Sequence, residues 1–156
     1  MKQQTLPPPT ELRVNEGKWS KTLMDAGWTV LPTILIEQQR KMNLDPIDMN
    51  ILLHLASYWW LSDKKPHPSK KTIANAMGVH PRTVQRHIAQ LEKKQLIKRE
   101  QRRVKGRRSE TNLYHFDGLI AAALPFAKEK IKLKKWRIEV LKGQVSSAPS
   151  HQEGNN

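Results

Sequence analysis

Apolar residues recur at helical spacing in the middle of the chain and predict an amphipathic helix directly after Asp45 and Pro46. Asp45 is a suitable N-cap, and proline is well tolerated at the first helical position. Asp48 lies in the first turn, where a carboxylate faces the positive end of the helix dipole. Capping therefore explains both carboxylates better than an acid/base pair does. The recurring apolar residues are Ile47, Ile51, Leu52 and Leu55.

The stretch TIANAMGVHPRTVQRHI, residues 72–88, predicts two short helices joined by a tight turn. Ser69 can cap the first helix, and Gly78 can take the left-handed conformation that ends it. His80 stands at the cap of the second helix and Pro81 at its first position. The second helix is expected to end near Lys94. Its apolar positions Val84, Ile88 and Leu91 then face inward, while Arg82, Thr83, Gln85, Arg86 and Gln90 face solvent.

Two further elements follow, a hairpin and a long helix. Leu96 and Ile97 begin a predicted strand, residues 104–107 form the tip, and residues 113–116 form the second strand. The last helix is expected to start after Pro125 and to end before Gly143. Upstream of all these elements, residues 28–30 predict a short strand or extended segment that leads into a short helix.

Basic residues are concentrated in one part of the chain. The net charge is +14, and residues 64–108 alone contain 15 basic and two acidic residues, or +13. Such a local excess is expected to face a polyanion. An α-helix fits the major groove of DNA, where Arg can bond guanine and Gln can bond adenine at two points. A basic hairpin after such a helix would contact the phosphate backbone or a narrow minor groove.

The stretches SKKTIANAMGVHPRTVQRHIAQLEKKQLIKRE and NLYHF resemble the winged helix-turn-helix proteins of bacterial, plasmid and phage regulators and replication proteins. The resemblance covers residues 45–116. It implies a three-helix core with a β-hairpin, binding of specific double-stranded DNA sequences, and usually dimers. By position, the implied groove-facing residues are His80, Pro81, Arg82, Thr83, Gln85 and Arg86. The expected wing and backbone contacts are Ser69, Lys70, Lys71, Arg99, Arg102, Arg103, Lys105, Arg107 and Arg108.

The expected architecture is mainly α with a small β-hairpin. It comprises a flexible, extended N-terminal arm over residues 1–20, a winged helix-turn-helix domain over 21–116, a C-terminal helix over 117–142 and a disordered tail over 143–156. The C-terminal helix carries an apolar stripe at spacings of three and four, which makes it a candidate for homodimerisation. The alternative is that this helix packs onto its own core beside Trp59 and Trp60. The stripe residues are Leu124, Ala127, Ile131, Ile138 and Leu141.

Three functions remain open at this point. The first is a transcriptional regulator, the second a plasmid or phage replication or maintenance protein that binds repeated sites, and the third an RNA-binding adaptor. No nucleophile motif or phosphate loop occurs, so we expect no enzyme. The histidines are scattered and cysteine is absent, so we expect no metal and no cofactor. His87 is expected beside the core or the phosphate backbone. No apolar run could span a membrane, which favours the bacterial cytoplasm, on the nucleoid or a plasmid. A small-molecule effector cannot be judged from the sequence.

Overall fold

The computed structural model describes residues 9–102 and 111–143, and over these residues the chain forms seven helices and one two-stranded hairpin. The chain divides after Leu31 into two compact units, whereas the sequence placed the start of the main domain at residue 21. In chain order the elements are α1 Pro9–Trp19, α2 Lys21–Asp25, α3 Thr33–Glu37, α4 Pro46–Ser57, α5 Lys70–Met77, α6 Pro81–Lys93, β1 Lys98–Glu100, β2 Leu113–His115 and α7 Asp117–Leu141.

The first unit contains α1 and α2, so the expected extended arm is wrong for residues 9–19. Pro9 occupies the first position of α1, where a missing N–H leaves no helical hydrogen bond unmade. No proline follows within the helix, so the chain is free to continue in helical conformation. The Ser20 side chain caps α2 by accepting the Leu23 N–H at 3.4 Å, and Lys21 pairs with Asp25 at 2.6 Å. The prolines at positions 7 and 8 lie outside the described residues.

The second unit begins with α3 and α4. Residues 28–30, near the end of the first unit, form no strand, and the short helix expected after them is α3. α4 starts as expected: the Asp45 carboxylate accepts the Asp48 N–H at 2.7 Å, and the Asp48 carboxylate accepts the Asp45 N–H at 3.4 Å. This reciprocal capping satisfies two backbone donors that have no partner inside the helix. The predicted capping role of both carboxylates is therefore confirmed.

Helices α5 and α6 form the expected pair with a tight turn. The Ser69 side chain caps α5 by accepting the Thr72 N–H at 2.9 Å. Gly78 ends α5 with φ 67°, and the next residue, Val79, donates its N–H back to the Ala74 carbonyl at 3.0 Å. This left-handed ending reverses the chain within a few residues, because glycine adopts positive φ without a steric penalty. α6 ends at Lys93. Two residues later, Gln95 has a left-handed conformation like that of Gly78, with φ 58°.

The core of the second unit joins these helices to the hairpin. Tyr114 is buried in β2, and its backbone N–H donates to the Pro66 carbonyl at 2.9 Å, which ties the hairpin to the loop before α5. Trp59 stacks on Phe116 with ring centroids 5.1 Å apart, while Trp60 is exposed. One of the two tryptophans thus packs against the domain. Side chains with essentially no exposure include Ile51, Leu52, Leu55, Ile73, Ala74, Val84, Ile88 and Leu91.

The hairpin is shorter than its apolar pattern predicted. β1 and β2 have three residues each and pair antiparallel, with Arg99 opposite Tyr114. Leu96 and Ile97, which were expected to begin the first strand, are buried in the connection that precedes it. The expected tip, residues 104–107, lies outside the described residues.

The proline pattern put the start of the last helix after Pro125, but α7 begins at Asp117, where the expected C-terminal helix over residues 117–142 starts, and contains Pro125 in its interior. Leu119 and Ala123 are buried, so the first turns pack onto the domain. A Cβ atom on Gly118 would lie 1.9 Å from the Gln95 carbonyl oxygen, so the absence of a side chain permits this close approach. An interior proline costs roughly 3 kcal/mol, and the burial of Leu119 and Ala123 acts in the opposite direction. No helix in the described ranges is long and apolar enough to cross a bilayer.

Candidate nucleic-acid interface

The candidate interface is built on α6, whose two sides have opposite character. Val84, Ile88 and Leu91 have no exposed surface and hold one side of α6 against the domain. Ala74 of α5 is also fully buried, and its small side chain lets the two helices approach closely. The other side of α6 is thereby fixed outward. This is the side that carries the predicted groove-facing residues.

Five of the six predicted groove-facing residues line one open concavity over the first turns of α6. Arg82, Gln85 and Arg86 are exposed, and Thr83 is half-buried. Pro81, the sixth predicted residue, is exposed at the first position of the helix. The arrangement offers guanidinium and amide groups on one face of the helix, close to its N-terminal end. The concavity is lined by His80, Arg82, Thr83, Gln85, Arg86 and Ala89.

His80 caps the start of α6. Its Nδ1 accepts the Arg82 N–H at 3.1 Å, which satisfies one of the backbone donors without a helical partner. An imidazole that accepts through Nδ1 keeps Nε2 as its donor. The same side chain can therefore cap the helix and offer a hydrogen bond to an anion.

The predicted backbone contacts fall into three groups. Ser69, Lys70 and Lys71 stand at the start of α5, with Lys71 exposed and the other two half-buried. Arg99 is paired with Glu92 of α6: Nη2 lies 3.1 Å from Oε2, and the Arg99 N–H donates to Oε1 at 3.1 Å. This pair braces the hairpin against α6 and already balances the guanidinium charge. Arg102 is half-buried at the end of the described hairpin, and Arg103, Lys105, Arg107 and Arg108 lie outside the described residues.

A buried polar cluster behind α6 was not anticipated from the sequence. Asp48 has no exposed surface, and its Oδ1 lies 2.8 Å from Nδ1 of His87, itself only 5% exposed. Its Oδ2 accepts a hydrogen bond from Lys94 Nζ at 3.0 Å, and the same ammonium donates to the Asn43 carbonyl at 2.5 Å. Both partners of Asp48 belong to α6 or its end. One carboxylate of α4 therefore anchors the middle and the end of the outward-facing helix.

The same cluster contains the described group with metal-ligand geometry. Ligand atoms of Asp45, Asp48 and His87 lie within 4.8 Å of one another. The Lys94 ammonium already supplies a positive charge to Asp48, and both carboxylates also cap α4. The cluster is thus accounted for by internal pairing. The sequence signal was available: position 87 lies three residues after Val84, at the edge of the inward side of α6.

Tyr114 is an uncharged side chain buried beneath the hairpin. Burial raises the pKa of its phenol above the usual value, an effect that the nearby Arg99 charge partly opposes. A tyrosine phenol is already uncharged at neutral pH, and the raised pKa extends this neutral form to more alkaline pH.

These features together define a winged helix-turn-helix domain followed by a C-terminal helix. A family described as a helix-turn-helix domain matches residues 42–97, which contain α4, α5 and α6 and end just before β1. This match supports binding of double-stranded DNA. The crystal structure of the YusO protein from Bacillus subtilis is similar at 18% identity with a TM-score of 0.40, covering 90% of this chain and 100% of that one. No curated protein matches the chain.

Proposed function

We propose that this protein is a sequence-specific DNA-binding transcriptional regulator that reads the major groove with α6. The observation that carries the proposal is the two-sided character of that helix. Its outward residues are long hydrogen-bonding side chains, while three inward residues are completely buried. A helix held this firmly loses little conformational freedom when its side chains bind base edges.

The charge distribution supports the same reading. Residues 64–108 have a net charge of +13, and they surround α6 on both sides along the chain. Phosphate contacts from such residues position a protein on DNA, whereas contacts to base edges specify the sequence. We assign specificity to Arg82, Gln85 and Arg86. Backbone binding falls to the lysines at the start of α5 and to the basic residues of the wing.

A role in plasmid or phage replication or maintenance uses the same binding surface and remains the second candidate. Mapping the bound sites in a genome distinguishes the two roles: sites over promoters favour a regulator, and repeated sites at a replication origin favour the alternative. An RNA-binding adaptor would bind a folded RNA at least as well as duplex DNA, which a competition experiment tests. The proposal includes no catalytic step. The homodimer through α7 that the sequence suggested stays untested, and the charges that flank the stripe disfavour it. One chain contains the whole of α5, α6 and the wing strands.

The test is selection of bound sequences from random duplex DNA, with the wild type and with Gln85→Ala and Arg86→Ala. We expect the wild type to enrich one motif. Each variant should lose preference at particular positions, at a cost of about 1–3 kcal/mol for a lost two-point contact. Lys93→Ala is the matched control, because Lys93 is exposed at the far end of the same helix. It should weaken all sequences alike. No enriched motif for the wild type, or an unchanged motif for both helix variants, would refute the proposal.

A further inference from the structure

The outer side of α7 carries an apolar stripe that the described part of the chain leaves uncovered. On the inner side, Leu119 and Ala123 are buried, and Lys130 Nζ lies 2.6 Å from Glu37 of α3. On the outer side, Ile131 is 55% and Leu141 is 86% exposed. Leu124 and Ile138 are exposed as well, at spacings of seven from Ile131. The stripe therefore has the spacing of a helix that pairs with another helix.

Lysines flank this stripe in a regular row. If Leu124, Ile131 and Ile138 take the first core position of a heptad, then Lys128, Lys135 and Lys142 all take the flanking position e. The opposite flank, position g, holds Arg137 and Lys130, and Lys130 is the residue that pairs with Glu37. Residues 128–142 contain seven basic and two acidic residues, a net charge of +5. The flanking charges, which set partner choice in paired helices, thus have one sign on both sides.

This charge pattern disfavours a second copy of the same helix. In a parallel pair, position e of one helix faces position g of the other, which would bring Lys135 and Lys142 against Lys130 and Arg137. In an antiparallel pair, e faces e and g faces g, so lysine faces lysine. Both arrangements place basic residues opposite each other, and the pair with Glu37 offsets part of the charge at Lys130 only. Such repulsion is a common way to exclude an unwanted partner.

We propose that this face of α7 binds an amphipathic helix of another protein whose flanking positions are acidic. The apolar stripe would bury the core residues of the partner, and the rows at positions e and g would pair with its carboxylates. Lys134, which occupies a core position of the stripe, would also meet an acidic residue. DNA phosphates fit the lysines but would leave the isoleucines and leucines exposed. The inference goes beyond DNA binding and does not depend on it.

The first experiment titrates the intact protein, without DNA, into labelled designed peptides followed by fluorescence anisotropy. One three-heptad peptide has apolar core positions and Glu at e and g. A second has Gln at those positions, and a third has the residues of the first in scrambled order. We expect the Glu peptide to bind about tenfold tighter than the Gln peptide, since several ion pairs each add a little. The difference should shrink at high salt.

Variants test whether the stripe is the binding face. Ile131→Glu with Ile138→Glu should abolish binding of the Glu peptide and leave DNA affinity unchanged. Lys128→Gln, Lys135→Gln and Lys142→Gln together should remove the preference for Glu over Gln. The proposal is overturned if the Glu peptide does not bind, or if the scrambled peptide binds equally well. Loss of DNA affinity in the isoleucine variant would assign the face to DNA instead and would overturn it too.

A charge reversal gives an independent test by sedimentation. The wild type should sediment as a monomer without DNA. Lys128→Glu, Lys135→Glu and Lys142→Glu together should produce a dimer, because parallel pairing then sets acidic e positions against Lys130 and Arg137. A wild-type dimer that the isoleucine variant converts into a monomer would overturn the proposal in favour of self-association. A triple variant that stays monomeric would show that the flanking charges do not select the partner, and would overturn it as well.

Discussion

At the scale of single residues, Asp48 combines a local and a long-range role. Its carboxylate accepts the Asp45 N–H at the start of α4, and it also binds His87 and Lys94 of α6 and its end. A fully buried carboxylate needs such partners, because an unpaired charge in the interior is very costly. The local role follows from neighbouring sequence alone. The long-range role depends on residues 39 and 46 positions away, which no local pattern connects.

Removal of this carboxylate should strongly destabilise the protein. We expect Asp48→Ala to lower the free energy of unfolding by about 3–5 kcal/mol, since His87 and Lys94 lose their buried partner. Asp48→Asn keeps an acceptor for His87 and should cost less. Denaturant unfolding of the intact chain measures both. Asp63→Ala, at an exposed position, is the control and should stay within about 0.5 kcal/mol of the wild type. Equal effects of Asp48→Ala and the control would contradict the anchoring role.

At the scale of elements, chain-local chemistry predicts the helices between residues 45 and 94 well. Asp45, Ser69 and His80 each cap the helix that the sequence assigned to them, and Gly78 has the expected left-handed conformation. The proline pattern alone places the start of α7 too late, because Pro125 resembles a helix start, whereas the expected C-terminal helix over residues 117–142 has the observed start. Its real start depends on packing of Gly118 against the backbone at Gln95. That contact joins two segments that are distant in sequence. The groove-facing side of α6 was predictable because its inward positions are regularly spaced.

Glycine-to-alanine substitutions distinguish a glycine that is needed for close packing from one that is needed for its positive φ angle. Gly118→Ala should lower stability by about 1–3 kcal/mol, because a Cβ atom would collide with the Gln95 carbonyl and the backbone would have to shift. Gly78→Ala has open space around it, so we expect only the strain of positive φ, about 1–2 kcal/mol. Gly17→Ala meets nothing within 4 Å at an ordinary helical φ and should cause no loss. Thermal unfolding of the three variants tests the order. A harmless Gly118→Ala would refute the close approach.

At the scale of the whole molecule, charge is segregated along the chain. Residues 64–108 carry +13 and residues 128–142 carry +5, so the rest of the chain is slightly acidic. The first concentration surrounds α6, and the second lies on α7. The overall composition does not distinguish the two basic regions. Outside residues 64–108 the positive charges of α7 are nearly balanced by acidic residues elsewhere in the chain, so the net charge there is close to zero. Only the helical positions of the lysines beside the stripe reveal a second kind of partner.

The salt dependence of DNA binding tests the role of the positive charge in residues 64–108. DNA affinity should fall steeply as salt rises, with a log–log slope of about −0.9 for each phosphate neutralised. Lys70→Ala with Lys71→Ala should make the slope shallower by roughly one to two units and leave the preferred sequence unchanged. Lys132→Ala, at an exposed position of α7, is the control and should leave the slope as it is. Affinity that stays flat between low and moderate salt would exclude phosphate binding as the main source of affinity.

The hairpin is secured at its base, where Arg99 pairs with Glu92 and the Tyr114 N–H reaches Pro66. The strands on either side of residues 103–110 are therefore held in place at Arg99 and at Tyr114. The entropy cost of joining two anchored points rises only slowly with the number of residues between them. Insertions, deletions and exchanges of charge in that connection are thus inexpensive for the rest of the domain. Substitutions in this connection can therefore change the contacts to DNA while the groove-facing residues of α6 stay the same.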